Sequence, residues 1–267
     1  NGGRSVVLTT APLSSRKKYA LTVKGLRDRA ARGNELESAS TSFKYFAWRR
    51  TGLVLLAHAD GNAKDASDAG NDGTLNKGVS YSSDGVIGKA FTFAGQGGQS
   101  NNTVSFGDIG ALNSAGSFTI AFWFKRTKNR SGNTNHQISN VMFSKGSDSD
   151  NDNLEIGSQG SKVELYLDSA GQDGPERKDV GIKNGRWYHL VLTYDKGRKQ
   201  EAQIYLDGKK VAGWAAWKGN IDDASGSPVT VGNTHHQETP FQGLIDEVFV
   251  FNRVLEKKEI QALSAQR

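Results

Sequence analysis

The sequence predicts an all-β protein, two stacked antiparallel sheets with one short helix at the C-terminal end. Three observations carry that expectation. Glycine is abundant and proline scarce, 32 against 4 among 267 residues, which suits many tight turns. From Gly52 onward, short runs of β-branched and aromatic residues recur at close spacing, separated by Gly, Asn, Asp and Ser. Several of these runs are apolar on both faces, as strands inside a large two-sheet sandwich are.

The first fifty residues contain three strand-like runs, 5–10, 19–23 and 41–48. The last two alternate apolar with small or polar residues, the period of a half-buried strand. Residues 25–36 between them carry the Gly, Asp and Asn of a long turn. Three strands do not close a sandwich, which needs about seven. Further on, residues 118–124 set Phe118, Ile120, Phe122 and Phe124 on one face and Thr119, Ala121 and Trp123 on the other. Residues 187–194 likewise set Tyr188, Leu190, Leu192 and Tyr194 against Trp187, His189, Val191 and Thr193. Residues 203–211 read as a hairpin turning at Asp207-Gly208, a pair that accepts the positive φ of a two-residue turn. Only residues 255–263 have helical spacing, with Leu255, Glu259, Ala262 and Leu263 along one side.

Composition narrows the function. Hydrophobic residues make up 36% and charged residues 23%, too apolar for a disordered chain and too polar for a membrane protein. No apolar run approaches the roughly 18 residues of a spanning helix. Cysteine is absent, which excludes disulfides, thiolate metal sites and cysteine nucleophiles. The net charge of +6 is unevenly spread: residues 1–50 hold eleven Lys and Arg against three carboxylates, whereas the rest holds 23 against 25. A nucleic-acid reader concentrates positive charge on its folded body, so neither nucleic acid nor membrane insertion is expected.

Tyr19, Leu21, Val23, Gly25, Leu26, Asp28, Gly33, Asn34 and Phe43 follow, with a slightly extended loop, the pattern that closes a bacterial Ig-like domain. Residues 1–50 therefore resemble the C-terminal remnant of such a domain, which implies that the chain starts mid-domain within a longer multidomain protein. Residues 51–267 carry six further motifs in order. They are Leu53-Val-Leu-Leu-Ala-His-Ala-Asp60 with Asp68-Ala-Gly-Asn-Asp-Gly-Thr-Leu75, Gly88-Lys-Ala-Phe-Thr-Phe-Ala-Gly95, the strand at 118–124, Gly185-Arg-Trp-Tyr-His-Leu-Val-Leu-Thr-Tyr-Asp195, Tyr205-Leu-Asp-Gly208, and the closing Phe241-Gln-Gly-Leu-Ile-Asp-Glu-Val-Phe-Val-Phe-Asn-Arg-Val-Leu255. Together they resemble the laminin G-like branch of the concanavalin A-like jelly rolls. The resemblance implies a jelly-roll sandwich and a role in carbohydrate binding or adhesion outside the cell or at its surface. It also implies a structural calcium ion joining the first strand to the last, with Asp60 and Asp246 as side-chain ligands and nearby carbonyls completing the shell. The alternative for Asp246, an acid within an apolar run, is to cap backbone amides without metal. One departure stands out: residues 93–102 lack the paired acids that often follow the Phe-x-Gly corner in this family, which puts a side-chain ligand from that corner in doubt.

Aromatic side chains carry the ligand expectation, because the C–H faces of sugars pack on Trp and Tyr. Trp123 and Trp187 fall in motif strands and suit core packing. Trp214 and Trp217 lie beside a turn and suit either a half-exposed platform or a hydrophobic cover. His235, His236, Gln237, Asn133 and His136, with Gln137, are candidate polar groups of a binding rim. Adjacent histidines on a strand would point to opposite faces, so a transition-metal pair is not expected. Residues 148–152 resemble the start of an EF-hand loop, but Asn153 and Gln159 stand where Gly and Glu are needed, so a solvated acidic loop is expected.

Enzyme signatures are missing. Glucanases on jelly rolls place closely spaced carboxylates on one strand face, because one attacks or stabilises while another donates a proton. No such trio occurs, and Asp246 and Glu247 are adjacent. His136-Gln-Ile138 has the residues of a lyase strand in the wrong order, and nucleophile-elbow and phosphate-loop patterns are absent. The expectation is a non-catalytic module of a larger secreted or surface protein that binds a polysaccharide, a cell-surface glycan or a neighbouring surface protein. A structural spacer and a divergent polysaccharide-degrading enzyme are the alternatives.

Overall fold

A computed structural model describes residues 18–27, 35–44, 50–96, 101–130, 138–146, 153–169, 172–234 and 240–266. The chain divides into two units, residues 1–49 and residues 50–265. In the first, β1 (Lys18–Arg27) pairs antiparallel with β2 (Glu35–Lys44), in a register that sets Tyr19 opposite Phe43 and Leu26 opposite Leu36. The ladder thus takes in both ends of the stretch expected to be a long turn. The expected strand at 5–10 lies outside the described residues.

The second unit runs through β3 (Leu53–Ala57), β4 (Thr74–Leu75), β5 (Val79–Ser82), β6 (Ala90–Ala94), β7 (Val104–Ser105), β8 (Ser117–Arg126), β9 (Phe143–Lys145) and β10 (Leu154–Gln159). It continues with β11 (Lys162–Ser169), β12 (Gln172–Asp179), β13 (Tyr188–Asp195), β14 (Ala202–Leu206), β15 (Lys209–Trp214), β16 (Val229–Val231), β17 (Gln242–Phe251) and the helix α1 (Lys257–Leu263). One sheet has the order β12-β11-β10-β9-β16-β7-β4; the other has the order β15-β14-β13-β8-β17-β6-β5, with β3 also on β17. The two stack as an antiparallel sandwich, the jelly-roll architecture expected from the sequence.

Alternation builds the core. Phe118, Ile120, Phe122 and Phe124 of β8 and Leu190, Leu192 and Tyr194 of β13 face Leu154 and Ile156 of β10 and Val163, Leu165 and Leu167 of β11. The opposite faces of β8 and β13 are covered as well: Thr119, Ala121, Trp123, His189 and Val191 are all buried. The chain leading into α1 closes over this face, where the Thr119 hydroxyl donates to the Arg253 carbonyl (2.8 Å) and accepts from the Leu255 amide (3.0 Å). Glu256 and Glu259 then form a reciprocal capping box at the start of α1, and Ile260, Ala262 and Leu263 are buried. The β14–β15 turn has φ of 49° at Asp207 and 76° at Gly208, as its sequence requires.

The Phe-x-Gly corner that lacks acids is organised by an amide. Asn102 is fully buried; its Oδ1 accepts from the Gly95 amide (2.8 Å), while Nδ2 donates to the carbonyls of Gly232 (2.9 Å) and Phe241 (2.8 Å). One neutral side chain ties three loops together and gives the Gly95 amide and the Gly232 and Phe241 carbonyls a partner.

Candidate functional site

β17 changes partners halfway along. Residues Gln242 to Ile245 pair with β6 and residues Val248 to Phe251 with β3, while β8 runs along the other side. The ladder to β8 is interrupted between Asp246 and Phe249, and Glu247 takes φ of 50°, the extra residue of a bulge. Bulges re-aim side chains, and this one gathers carboxylates. Asp246 is fully buried, and its Oδ2 accepts from the amides of Val86 (2.8 Å) and Ile87 (3.0 Å). Its Oδ1 is buried with no hydrogen-bond partner among the described residues. Burial pushes the Asp246 carboxyl up to about 7; the Glu247 charge adds to this, and the amides of Ile87, Val86 and Glu247 oppose it.

Glu247 is buried too, and its Oε1 lies 2.8 Å from His58 Nδ1 on the exit of β3. That hydrogen bond holds the His58 imidazolium above its ordinary range, against the effect of burial. Asp60 is exposed and accepts from the Lys89 amide (2.7 Å). Asp60 and Asp246 therefore flank the same loop, residues 86–89. Among the described residues no three His, Cys, Asp or Glu side chains converge as a complete metal-ligand set. The two aspartates fit a calcium ion only as part of a shell of 6–8 oxygens finished by carbonyls and water.

A second site lies at the edge of the sandwich. β15 is the outermost strand of its sheet, and the register Ala202 to Trp214 and Ile204 to Ala212 turns Trp214 to the core side of β14. With no further strand to cover it, the indole stays half-buried. It borders an open groove of about 430 Å3, whose walls include Lys178, Gln200, Lys210, Val211 and Gly213. Gln200 Nε2 donates to the Gly213 carbonyl (3.1 Å) and its Oε1 accepts from Lys210 Nζ (2.8 Å). The glycine is what permits this: a Cβ at position 213 would sit 2.7 Å from Gln200 Oε1 and 3.0 Å from Lys210 Cε.

Trp217, expected with Trp214 to form either a half-exposed platform or a hydrophobic cover, is fully buried, its ring centroid 6.4 Å from that of Trp214 in an edge-on arrangement. Three residues beyond Trp214 the chain has left the strand and turned inward, so this indole packs into the core and offers no face to a ligand. Trp123 is buried as expected; Trp187 is only half-buried and carries the Lys125 ammonium 5.3 Å from its ring centroid. Asn133, His136, His235, His236 and Gln237 lie outside the described residues, as do residues 148–152.

Sequence reasoning missed the polar outer face of the other sheet. Thr230, Ser144, Glu155 and Tyr166 stand side by side across β16, β9, β10 and β11, with Glu164 two residues along β11 from Tyr166. The Ser144 and Thr230 hydroxyls are 2.7 Å apart. Glu164 is fully buried and accepts from Arg177 Nε (2.6 Å) and the Ser139 amide (2.7 Å). The alternation of Glu155 and Glu164 with core leucine, isoleucine and valine is the signal that marks this face in the sequence.

Comparison with known proteins agrees with this architecture. The family model for the laminin G-like type within the concanavalin A-like lectin/glucanases superfamily matches residues 96–261. Domain 4 of AbnA, a GH43 extracellular arabinanase from Geobacillus stearothermophilus solved with arabinotriose, aligns at 20% identity and TM-score 0.58, covering 81% of this chain and 100% of that domain. The binding domain of Paraclostridial Mosquitocidal Protein 1 aligns at 16% identity and TM-score 0.60, over 80% of this chain and 52% of that one. The ligand-binding domain of botulinum neurotoxin serotype D, solved with N-acetylneuraminic acid, aligns at 12% identity and TM-score 0.60, over 80% and 51%. The chain thus spans about half of each toxin domain. None of the curated proteins matches.

Proposed function

The chain belongs to the laminin G-like branch of the concanavalin A-like lectin/glucanases superfamily, and from that premise we propose that it is a non-catalytic carbohydrate-binding module of a secreted or surface protein. The observation that carries this reading is Trp214, a half-exposed indole beside a groove whose other walls offer an amide and two ammonium groups. An aromatic face receives the C–H face of a sugar ring, while flanking N–H donors meet its hydroxyl oxygens. Two solved structures of the same fold were determined with sugars, arabinotriose and N-acetylneuraminic acid.

The buried state of Glu164 supports the absence of catalysis. Glu155 and Glu164 are diagonal neighbours on the outer face of their sheet, a pair of acids of the kind that glycoside hydrolysis uses. A glycosidase acid must reach the scissile oxygen, whereas Glu164 is held by Arg177 and the Ser139 amide with none of its surface exposed.

A structural calcium ion is part of the same reading, with Asp60 and Asp246 as its side-chain ligands. A bound Ca2+ would supply the positive charge that the unpartnered Asp246 Oδ1 lacks. The hairpin of β1 and β2 would be the closing strands of an Ig-like domain, a role with which its antiparallel pairing agrees.

A glycan array probed with the full chain and with Trp214→Ala tests the proposal. Binding that disappears in the variant, with the thermal unfolding transition retained, is the expected result. Uniformly negative binding would favour an architectural spacer, and release of reducing ends or unsaturated products from polysaccharide would overturn the non-catalytic reading.

A further inference from the structure

The groove beside Trp214 has a charge pattern that narrows its ligand. No carboxylate lines it, although two lysines do. Lys210 Nζ is held by Gln200 Oε1 at 2.8 Å, a neutral acceptor that fixes the ammonium without offsetting its charge. Neither Lys178 nor Lys210 is paired with a carboxylate among the described residues. Lys196 is likewise held by a neutral acceptor, Asn220 Oδ1 at 2.7 Å, whereas several other cations of the sandwich are paired with carboxylates. Lys145 is paired with Asp108, Arg177 with Glu164, Arg253 with Glu259, Lys125 with Asp84 and Arg198 with Asp195.

Residues 51–267 hold slightly more acidic than basic groups, so a groove lined by two ammonium groups and no carboxylate is a local feature, with Asp179 acting on Lys178 from outside the lining. Gly213 strengthens the point. Its missing side chain lets Gln200 and Lys210 fold across the strand, so the position of one ammonium is built into the groove and not left to a free side chain.

We propose that this groove selects anionic sugars, with Trp214 packing on the ring and Lys178 and Lys210 receiving a carboxylate or sulfate that projects from the ring edge. This inference rests on the reading of the groove as the glycan site and adds the class of glycan. A neutral sugar leaves both ammonium groups hydrated and gains only the stacking contact. An acidic one gains two charge-assisted contacts. Because the groove is open, each contact is screened by salt over a distance of about 10 Å at 0.1 M.

The test uses the full chain in affinity electrophoresis and titration calorimetry against two matched pairs: polygalacturonate with its methyl-esterified form, and dextran sulfate with dextran. At least one charged polymer is expected to bind about tenfold tighter than its neutral counterpart. Each of Lys178→Gln and Lys210→Gln should weaken that binding about two- to fivefold, the range of an exposed ion pair, and the preference should shrink as salt rises. Preference confined to polygalacturonate identifies the carboxylate as the recognised group, and preference confined to dextran sulfate identifies the sulfate. Equal binding of charged and neutral polymers, no binding of either polyanion, or a charge preference that survives the double lysine variant would overturn the inference. In the last case the charge is read elsewhere, for example by the basic residues 1–50. If Trp214→Ala still abolishes sugar binding while the lysine variants change nothing, the glycan site stands and only its anion selectivity falls. If Trp214→Ala changes nothing, the site itself is wrong.

Discussion

The bulge in β17 and the groove beside β15 hold charged groups under opposite conditions. At the bulge, Asp246 and Glu247 are buried: the amides of residues 86 and 87 engage Asp246 Oδ2, His58 engages Glu247 Oε1, and Asp246 Oδ1 has no partner among the described residues. At the groove, Lys178 and Lys210 are exposed and carry no carboxylate partner among the described residues. Burial makes the first set a structural element, because desolvation penalises any charge that the protein does not itself compensate. Exposure leaves the second set hydrated and available to a ligand. The neighbouring tryptophans repeat the lesson on a smaller scale. Trp217 is core, and Trp214, three residues earlier on an edge strand, is half open.

The largest expected effect breaks the tryptophan contrast. Trp217→Ala removes a fully buried indole and should cost about 3–5 kcal/mol, lowering the thermal midpoint by roughly 10 °C for a domain of this size. Trp214→Ala should cost less than half of that while abolishing sugar binding. Equal losses of stability in calorimetry would show that the two rings are not buried differently.

Next, Asp246→Ala leaves the Val86 and Ile87 amides without their acceptor and should destabilise by about 1–3 kcal/mol, measured by urea unfolding in chelator. A smaller effect would mean that these amides find water, and that the bulge does not depend on the carboxylate.

The bulge also predicts a pH dependence. Asp246 titrates at about 7 in the folded chain and near 4 when unfolded, so the unfolded state releases its proton first as pH rises. Stability therefore falls between about pH 4 and 7. His58 acts in the same direction: its stabilising pairing is complete below the unfolded value near 6.5 and is lost as pH rises through the higher folded value. In chelator, the melting temperature should decline from pH 5 to pH 8. Added calcium, which needs the ionised carboxylate, should restore more at pH 8 than at pH 5. Asp246→Asn should flatten the Asp246 part of the decline; an unchanged slope would assign the effect to other groups.

The smallest expected change in stability sharpens the groove. Gly213 does not have a positive φ, and an added methyl group meets only the flexible ends of Gln200 and Lys210. Gly213→Ala should therefore shift stability by less than about 0.5 kcal/mol, yet displace the Lys210 ammonium and weaken anionic-glycan binding about twofold. Stability and affinity moving together would show that the groove is part of the core edge and not a separate binding surface.

Much of the fold was legible in the sequence. The alternation of residues 118–124 and 187–194 assigned faces to β8 and β13, the Asp207-Gly208 pair placed a turn, and residues 255–263 gave the helix. The site was legible only in part. The spacing of Trp214 and Trp217 makes both equally plausible as a platform, because local pattern does not say which strand lies at an edge. Glu155 and Glu164 alternate visibly with core residues, but their meeting on one face depends on the pairing of β10 with β11. Asn102 carries no signal of its own, since its three partners come from loops up to 139 residues away.

What the chain determined by itself was periodicity: which residues face inward, where turns occur, and that two sheets are needed to bury both faces of so many apolar strands. These are nearest-neighbour properties, set by the two-residue repeat of a strand and the backbone demands of Gly, Asn and Asp. Tertiary structure decided everything that depends on strand order. It put the partner switch of β17 at Asp246, buried Trp217 while leaving Trp214 at an open edge, and set Lys178 of one sheet beside Lys210 of the other. The physical reason is that burial and charge compensation are properties of what packs alongside a residue, and that neighbour is a remote part of the chain.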